Sequence, residues 1–268
     1  MKLVLLTGAA GGVAQLIRPL LRQRYRLRLS DVVPVPDIQP GEETATADLT
    51  DLAAVRHAVA GVDGIIHLGG YSLEAAWETI LSANIVGAYN LFEAARLETV
   101  KRVVFASSNH VTGFYPRSET IGVGALPRPD SRYGVSKAFG EAVASLYAWK
   151  YGAEVLAIRI GHITAKPELR RDLAVWLSPR DFCQLAAIGL ERPGLRYEVV
   201  YGLSDNKRRW WDDENAPRLG YQPQDRSEDY AAEVLASDDG ITGEAIADQH
   251  QGGRFCTAEA IAPIRPDS

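Results

Sequence analysis

The sequence predicts a doubly wound α/β fold, a parallel sheet with helices on both faces and a small C-terminal cap. Three observations carry that prediction. Short apolar runs alternate with helical patterns through the first 160 residues, which is the order that β-α-β units produce. The runs are continuously apolar, as suits strands covered on both faces. A glycine-rich turn follows the first run and opens directly into a helix pattern.

In chain order, strands are expected at 2–6, 26–30, 63–67, 102–106 and 154–160, and helices at 12–23, 51–60, 74–97 and 131–151. Asp51 and Ser131 stand where N-caps belong, because a short side-chain oxygen accepts from the free amides of a first turn. Past residue 160 the rhythm weakens into a polar loop at 164–178, a helix near 180–191, a short strand at 197–201 and a helix near 226–236. The tail from Ser237 is rich in Asp, Gly, Gln and Pro without a clear period, and its end is expected to be mobile or to lie on a partner subunit. Residues 1–160 read as the core and 161–268 as a small cap and tail packed with it as one unit.

Composition excludes several function classes. The chain has 268 residues, 46% hydrophobic and 24% charged, with a formal net charge of -5, which is an ordinary globular balance. The longest basic run is Lys207-Arg208-Arg209, so a nucleic-acid partner is not expected. No stretch approaches the ~20 apolar residues of a membrane span, and the short apolar start leads into glycines rather than a cleavage site, so neither membrane nor export is expected. Two cysteines, Cys183 and Cys256, lack metal-site spacing, which predicts a reducing, cytoplasmic setting and no bound zinc.

The first motif is Thr7-Gly8-Ala9-Ala10-Gly11-Gly12-Val13-Ala14. Gly8 suits a tight turn, Gly11 or Gly12 allows backbone to approach a pyrophosphate, and the helix that follows offers amide donors. Tight β-to-α turns use glycine without nucleotides as well. Asp31, which closes the second expected strand, adds context. A carboxylate there can bond both hydroxyls of an adenosine ribose and repels a 2′-phosphate, which favours NAD over NADP. A loop carboxylate or a cap is the competing reading of Asp31.

Tyr133-Gly134-Val135-Ser136-Lys137 places a phenol and an ammonium four residues apart on one helix face. A positive neighbour favours the phenolate, which makes Tyr133 a candidate general base. An exposed helical pair is the competing reading. Ser107-Ser108 follows a strand at the carboxyl edge, where doubly wound sheets bind ligands, although paired serines also form turns.

Over its first 160 residues the chain resembles the extended short-chain dehydrogenase/reductase family, whose nucleotide-binding core is a Rossmann fold. The matching pieces are the Thr7–Ala14 loop, Asp31, Asp48-Leu49, His67-Leu68-Gly69-Gly70, Asn84-Ile85-Val86-Gly87, Ser107-Ser108, Tyr133 to Lys137, and Arg159-Ile160-Gly161. The resemblance implies catalytic roles for Ser108, Tyr133, Lys137 and Asn84. It implies cofactor contacts at Gly8, Gly11, Gly12, Val13 and Asp31, at Asp48 and Leu49, at Leu68, Gly69 and Gly70, at Tyr133 and Lys137, and at Ile160 and Ile163.

Finer detail resembles the family's uronate dehydrogenase branch. It rests on Phe105 to His110, Gly113-Phe114-Tyr115-Pro116, the run from Arg128 to Glu141, Trp176-Leu177-Ser178, Val199 to Asn206, Trp210-Trp211-Asp212 and Gln251-Gly252-Gly253. That resemblance implies substrate contacts at Ser72, Ser108, Asn109, His110 and Arg171. His162 takes a further substrate position, where the branch usually has Ser. Bland readings compete here: His110 as a loop histidine, Asn109 as a turn former, Trp210-Trp211 as cap packing, and Arg171 as part of a solvated cluster with Arg170 and Asp172.

The expected activity is NAD-dependent oxidation of a hexuronate at the anomeric carbon to an aldaro-lactone. In that chemistry Tyr133 takes the hydroxyl proton, Ser108 polarises the hydroxyl, Lys137 tunes Tyr133, and Arg171 holds the sugar carboxylate. Rival readings are a neutral or phosphorylated aldose, with Lys166 or Arg170 beside Arg171, a sugar-nucleotide epimerase, and a redox-sensing binding protein. The short segment after residue 160 disfavours the epimerase, and the intact Ser108, Tyr133 and Lys137 disfavour the sensor. Self-association is expected from the resemblance.

Overall fold

A computed structural model describes residues 1–212 and 214–258. Seven strands form the central sheet: β1 (Leu3–Thr7), β2 (Arg26–Ser30), β3 (Glu43–Thr44), β4 (Gly64–His67), β5 (Arg102–Ser108), β6 (Glu154–Ile160) and β7 (Tyr197–Gly202). Their order is β7-β6-β5-β4-β1-β2-β3 and each pair is parallel. The winding reverses between β1 and β4, and a crevice at the carboxyl ends follows from that switch point.

Five main helices cover the sheet: α1 (Gly12–Leu21), α2 (Leu52–Val59), α3 (Gly87–Leu97), α4 (Arg132–Tyr151) and α5 (Pro179–Glu191). Side chains alternate across a strand, so neighbours feed opposite faces. Leu6, Ile66, Val104 and Leu156 pack with Ile17 and Leu21 of α1 and Phe182 and Leu185 of α5. On the other face Leu5, Ile65, Val103 and Val155 meet Val55, Leu91, Phe92 and Ala144 from α2, α3 and α4. Asp51 caps α2 by accepting from the amides of Ala53 and Ala54, and Ser131 caps α4 by accepting from Gly134. The expected strand at 197–201 is the sheet's edge strand β7, and α5 lies on the sheet, so the sheet and its cover extend past residue 160.

Some expectations need correction. The stretch 74–97 is not one helix but a turn, Trp77–Ile80, a π-helical segment, Leu81–Val86, and then α3. The widened segment holds Asn84, whose amide takes both backbone groups of Tyr71: Tyr71 N donates to Oδ1 at 2.7 Å and Nδ2 donates to Tyr71 O at 2.9 Å. Such bulges mark functional sites. The segment at 164–178 is no polar loop throughout, because Leu173, Val175 and Trp176 are buried and Trp176–Leu177 pairs with His162–Ile163. The tail carries a helix, Ala245–Gln249, and a 3₁₀ turn, Gly253–Cys256. Gln251, fully buried, anchors it: Trp211 Nε1 donates to its side-chain oxygen at 2.7 Å, and its amide donates to the carbonyls of Pro116 at 3.1 Å and Glu119 at 2.8 Å. Residues 259–268, the end of the tail, lie outside the described residues. Among the described residues, no helix is long and apolar enough to cross a membrane.

Candidate active site

A cleft of about 1100 Å³ opens at the switch point. One end is built by the loops after β1, β2 and β4. Gly8 has φ +66°, and a Cβ there would lie 2.9 Å from Gly69 N, so the two loops touch and only glycine fits. Thr7 Oγ1 locks the contact, accepting from Gly69 N at 3.1 Å and bonding His67 Nδ1 at 2.7 Å. Burial pushes His67 down to about 3, so this ring stays neutral. Gly11 caps α1 without a side-chain bond, which leaves the first-turn amides for an anion. Asp31 accepts from Ala10 N at 3.0 Å and Val32 N at 2.8 Å, and it faces the cleft. Gly12, Val13, Asp48, Leu49, Leu68, Gly70, Ile160 and Ile163 complete this part of the lining.

At the other end α4 presents Tyr133 and Lys137 on one face. Buried Glu74 fixes the start of that helix, accepting from Arg132 Nη1 at 2.7 Å and Tyr133 N at 3.2 Å. Asn84 Nδ2 donates to Ser136 Oγ at 2.9 Å, and Ser136 donates to Tyr133 O at 2.7 Å. Lys137 Nζ donates to Ala106 O at 2.7 Å and lies 5.5 Å from the Tyr133 ring centre. Ser108, whose Oγ accepts from His110 N at 3.2 Å, lines the cleft with Tyr133.

The electrostatics differ from the sequence expectation that Lys137 would favour the phenolate. Burial pushes Tyr133 up to about 12, with the Ser108 hydroxyl pulling the other way, and burial pushes Lys137 down to about 8. A low-dielectric site disfavours both charged forms, and the Asp130 carboxylate raises the phenol further.

Two histidines form the wall, each with Nδ1 on a buried carboxylate. His110 meets Asp130 at 2.7 Å, and its ring stacks on Phe255 at 3.9 Å and lies 5.7 Å from Tyr133. His162 meets Asp172 at 2.8 Å. Ser72, Ser108, His110 and His162 all line the cleft, whereas Asn84, Asn109 and Arg171 stand behind the lining. With its amide oriented to suit both neighbours, Asn109 donates to Ile160 O at 3.1 Å and accepts from Arg171 at 3.2 Å. Arg171 also donates to Gln251 O at 2.7 Å, and its Nε is buried without a hydrogen-bond partner among the described residues. Burial lowers this guanidinium to about 10.

Sequence reading gave no site role to Phe255, Thr7, Glu74, Asp130 or Asp172. Asp130 was within reach as part of the Arg128 to Glu141 run. Phe255 lies in a segment without a period, and only its tertiary placement brings it to the cleft.

Three comparisons place the chain among known proteins. The NAD dependent epimerase/dehydratase family matches residues 4–175. A uronate dehydrogenase of Pseudomonas putida is 48% identical over 95% of this chain and 96% of its own. The crystal structure of a glucuronic acid dehydrogenase from Chromohalobacter salexigens is 46% identical with a TM-score of 0.93, covering 97% of this chain and 98% of that one. That of a uronate dehydrogenase mutant from Agrobacterium tumefaciens, complexed with NAD, is 40% identical with a TM-score of 0.93 over 98% of this chain and 100% of that one. A parallel sheet with its cleft at the switch point, a glycine turn at one end and a Tyr-x-x-x-Lys helix at the other is what that similarity leads one to expect, and the chain belongs to the NAD dependent epimerase/dehydratase family, the extended short-chain dehydrogenase/reductases.

Proposed function

We propose that this protein oxidises a hexuronate, galacturonate or glucuronate, at its anomeric carbon with NAD, giving an aldaro-lactone. The observation that carries the reading is the convergence of Tyr133, Ser108 and Lys137 at one end of a cleft whose other end holds the Gly8 turn and Asp31. The relatives named above are uronate or glucuronic acid dehydrogenases over nearly the full length of this chain.

The residues fit NAD. Position 8 has no room for a Cβ, the open first turn of α1 suits the pyrophosphate, and the Asp31 carboxylate suits the adenosine ribose. Bound there, NAD supplies the hydride acceptor. Tyr133 takes the proton of the anomeric hydroxyl, and Ser108 orients that hydroxyl and polarises it. Lys137, steadied by Ala106 O, supplies positive charge beside a phenol that burial alone would keep protonated. Ser72, His110 and His162 bond the sugar hydroxyls, and Arg171 with Asn109 holds the carboxylate. Arg171 Nε, without a partner among the described residues, is a donor that an anionic group satisfies.

The same geometry disfavours an aldose phosphate. Lys166 Nζ pairs with Glu233 at 2.6 Å, and Arg170 Nη1 donates to Asp239 O at 3.2 Å, so both cations are engaged on the surface, whereas Arg171 is tied to Asn109 beside the cleft wall. A cytoplasmic setting fits the two free cysteines, and self-association belongs to the same reading. The test is NADH formation with uronates, neutral aldoses and aldose phosphates in parallel. Faster turnover of an aldose phosphate than of any uronate overturns the assignment.

A further inference from the structure

Oxidation uses Tyr133 as its base, which leaves the imidazole of His162 in the same cleft without a proton to move. The His162 side chain is 41% exposed and lines the cleft, while Asp172 behind it is 1% exposed. Asp172 Oδ1 lies 2.8 Å from His162 Nδ1, and its Oδ2 accepts from the amides of Glu168 at 3.1 Å and Leu169 at 3.0 Å. Those bonds hold the carboxylate in its ionised, acceptor-only form, so Nδ1 is the ring nitrogen that carries the proton toward it. A neutral imidazole that donates from Nδ1 carries its lone pair on Nε2, the nitrogen left free of the aspartate. A carboxylate that holds a histidine in this way leaves Nε2 ready to act as a general base.

We infer that the chain carries a second activity in this cleft, hydrolysis of the lactone that oxidation produces, with His162 as general base and Asp172 as its positioning residue. The inference rests on the oxidation proposed above, which supplies the lactone. When oxidation ends, the new carbonyl lies beside Ser108 and Tyr133. Tyr133 then holds the proton it took, and burial favours that neutral phenol. Both hydroxyls are donors toward the carbonyl oxygen, which is where negative charge grows when water adds.

The step balances without a further reactant. His162 Nε2 takes a proton from water as the water oxygen bonds to the lactone carbonyl carbon. The bond from that carbon to the ring oxygen breaks, and His162 returns the proton to the ring oxygen as a hydroxyl. The new carboxylic acid releases one proton to solvent at neutral pH. One lactone and one water give one open-chain dicarboxylate and one proton.

That extra proton makes the test a stoichiometry. Oxidation of a uronate releases one proton for each NADH, and hydrolysis releases a second. NADH absorbance and a pH indicator, read together in weak buffer, count both. For the unmodified protein the expected result is two protons for each NADH, the second appearing at a rate that scales with enzyme concentration. In His162→Ser, or in His162→Gln where Ser does not fold, the second proton should appear about tenfold or more slowly, at a spontaneous rate that does not depend on enzyme. Asp172→Asn should fall between. Each variant is run at the enzyme concentration that gives the parent's NADH rate, so an effect of these substitutions on oxidation is matched. A second proton equally fast in the unmodified protein and in the His162 variants, or independent of enzyme concentration, overturns the inference. NADH with a single proton overturns it alone, whereas no NADH from any uronate overturns the oxidation as well.

Discussion

Arg171 donates to the carbonyl oxygen of Gln251 at 2.7 Å across 80 residues of chain. The bond ties the segment between β6 and β7 to the tail that brings Phe255 onto His110. Gln251 is anchored by three side-chain bonds of its own, so the tail is held even where it lacks a hydrophobic period. One guanidinium therefore serves two structures: it fastens the tail, and its buried Nε has no hydrogen-bond partner among the described residues. Buried donors left unsatisfied are rare and costly in folded proteins, and they point to a missing partner.

Removing the Tyr133 hydroxyl isolates the proton transfer. Tyr133→Phe keeps the ring that packs with Ala75 and Ile80 and takes away only the acceptor. Turnover should fall by roughly 10²-fold or more while NAD still binds. Thermal unfolding should move little. Steady-state rates beside a melting curve check both, and a Tyr133→Phe protein with most of its activity would move the role to another residue.

Lys137 should lower stability in return for activity. Its folded value is depressed to about 8 from the usual 10.5, so between those pH values the unfolded chain binds more protons than the folded one. Stability therefore rises with pH through that window, and the cost of the buried ammonium, about 3 kcal/mol, is present in full below pH 8. Lys137→Met should abolish turnover yet unfold at higher denaturant than the parent at pH 7, less whatever Ala106 O loses with its donor. The gain should fade by about pH 10.5. Urea unfolding of both proteins at pH 7 and pH 10.5 measures it, and an equal difference at the two values contradicts the burial argument.

Asp31 should set the cofactor. Its carboxylate braces the turn with both oxygens, Oδ2 accepting from Ala10 N and Oδ1 from Val32 N, so Asp31→Asn removes the charge and keeps one of the two acceptors. The parent should prefer NAD over NADP by at least about 10-fold in kcat/KM, worth about 1.4 kcal/mol, and Asp31→Asn should narrow that gap. Equal use of both cofactors by the parent defeats the argument.

The legible parts of this protein were those set by local pattern. Short apolar runs marked β1, β4, β5, β6 and β7, an alternating run marked β2, and four-residue spacing placed Tyr133 and Lys137 on one face. What stayed hidden depends on distant chain. β3 spans two residues and has no period to read. The π-helical turn carries Asn84 to Tyr71, a contact 13 residues away in the chain that no local pattern announces. Phe255 and Asp172 reach the site only through the folds of the tail and of the segment after β6. The Tyr133 phenol was read from its charged neighbour, but its burial, which decides the sign of the shift, is a property of the packed site and not of a five-residue motif.

The last prediction separates a carboxylate ligand from a structural tie, both of which Arg171 can be. If its guanidinium pairs with the substrate carboxylate, Arg171→Ala strands that charge in a partly desolvated site, where a charge-assisted bond is worth about 1.5–3 kcal/mol. Uronate kcat/KM should then drop by roughly 10- to 150-fold. A neutral aldose of the same ring stereochemistry never makes the bond, so its slower oxidation should change far less. The bond to Gln251 O complicates a single measurement, because loss of Arg171 also loosens the tail. Gln251→Ala provides the control: it breaks the links to Trp211, Pro116 and Glu119 and leaves the guanidinium in place. A loosened tail should slow galacturonate and galactose by similar factors, so Gln251→Ala should leave their ratio near that of the parent. Arg171→Ala should shift the ratio toward the neutral sugar by about tenfold or more. Matching losses for the two sugars in Arg171→Ala would make Arg171 a tie for the tail alone and leave the carboxylate to the other donors of the wall.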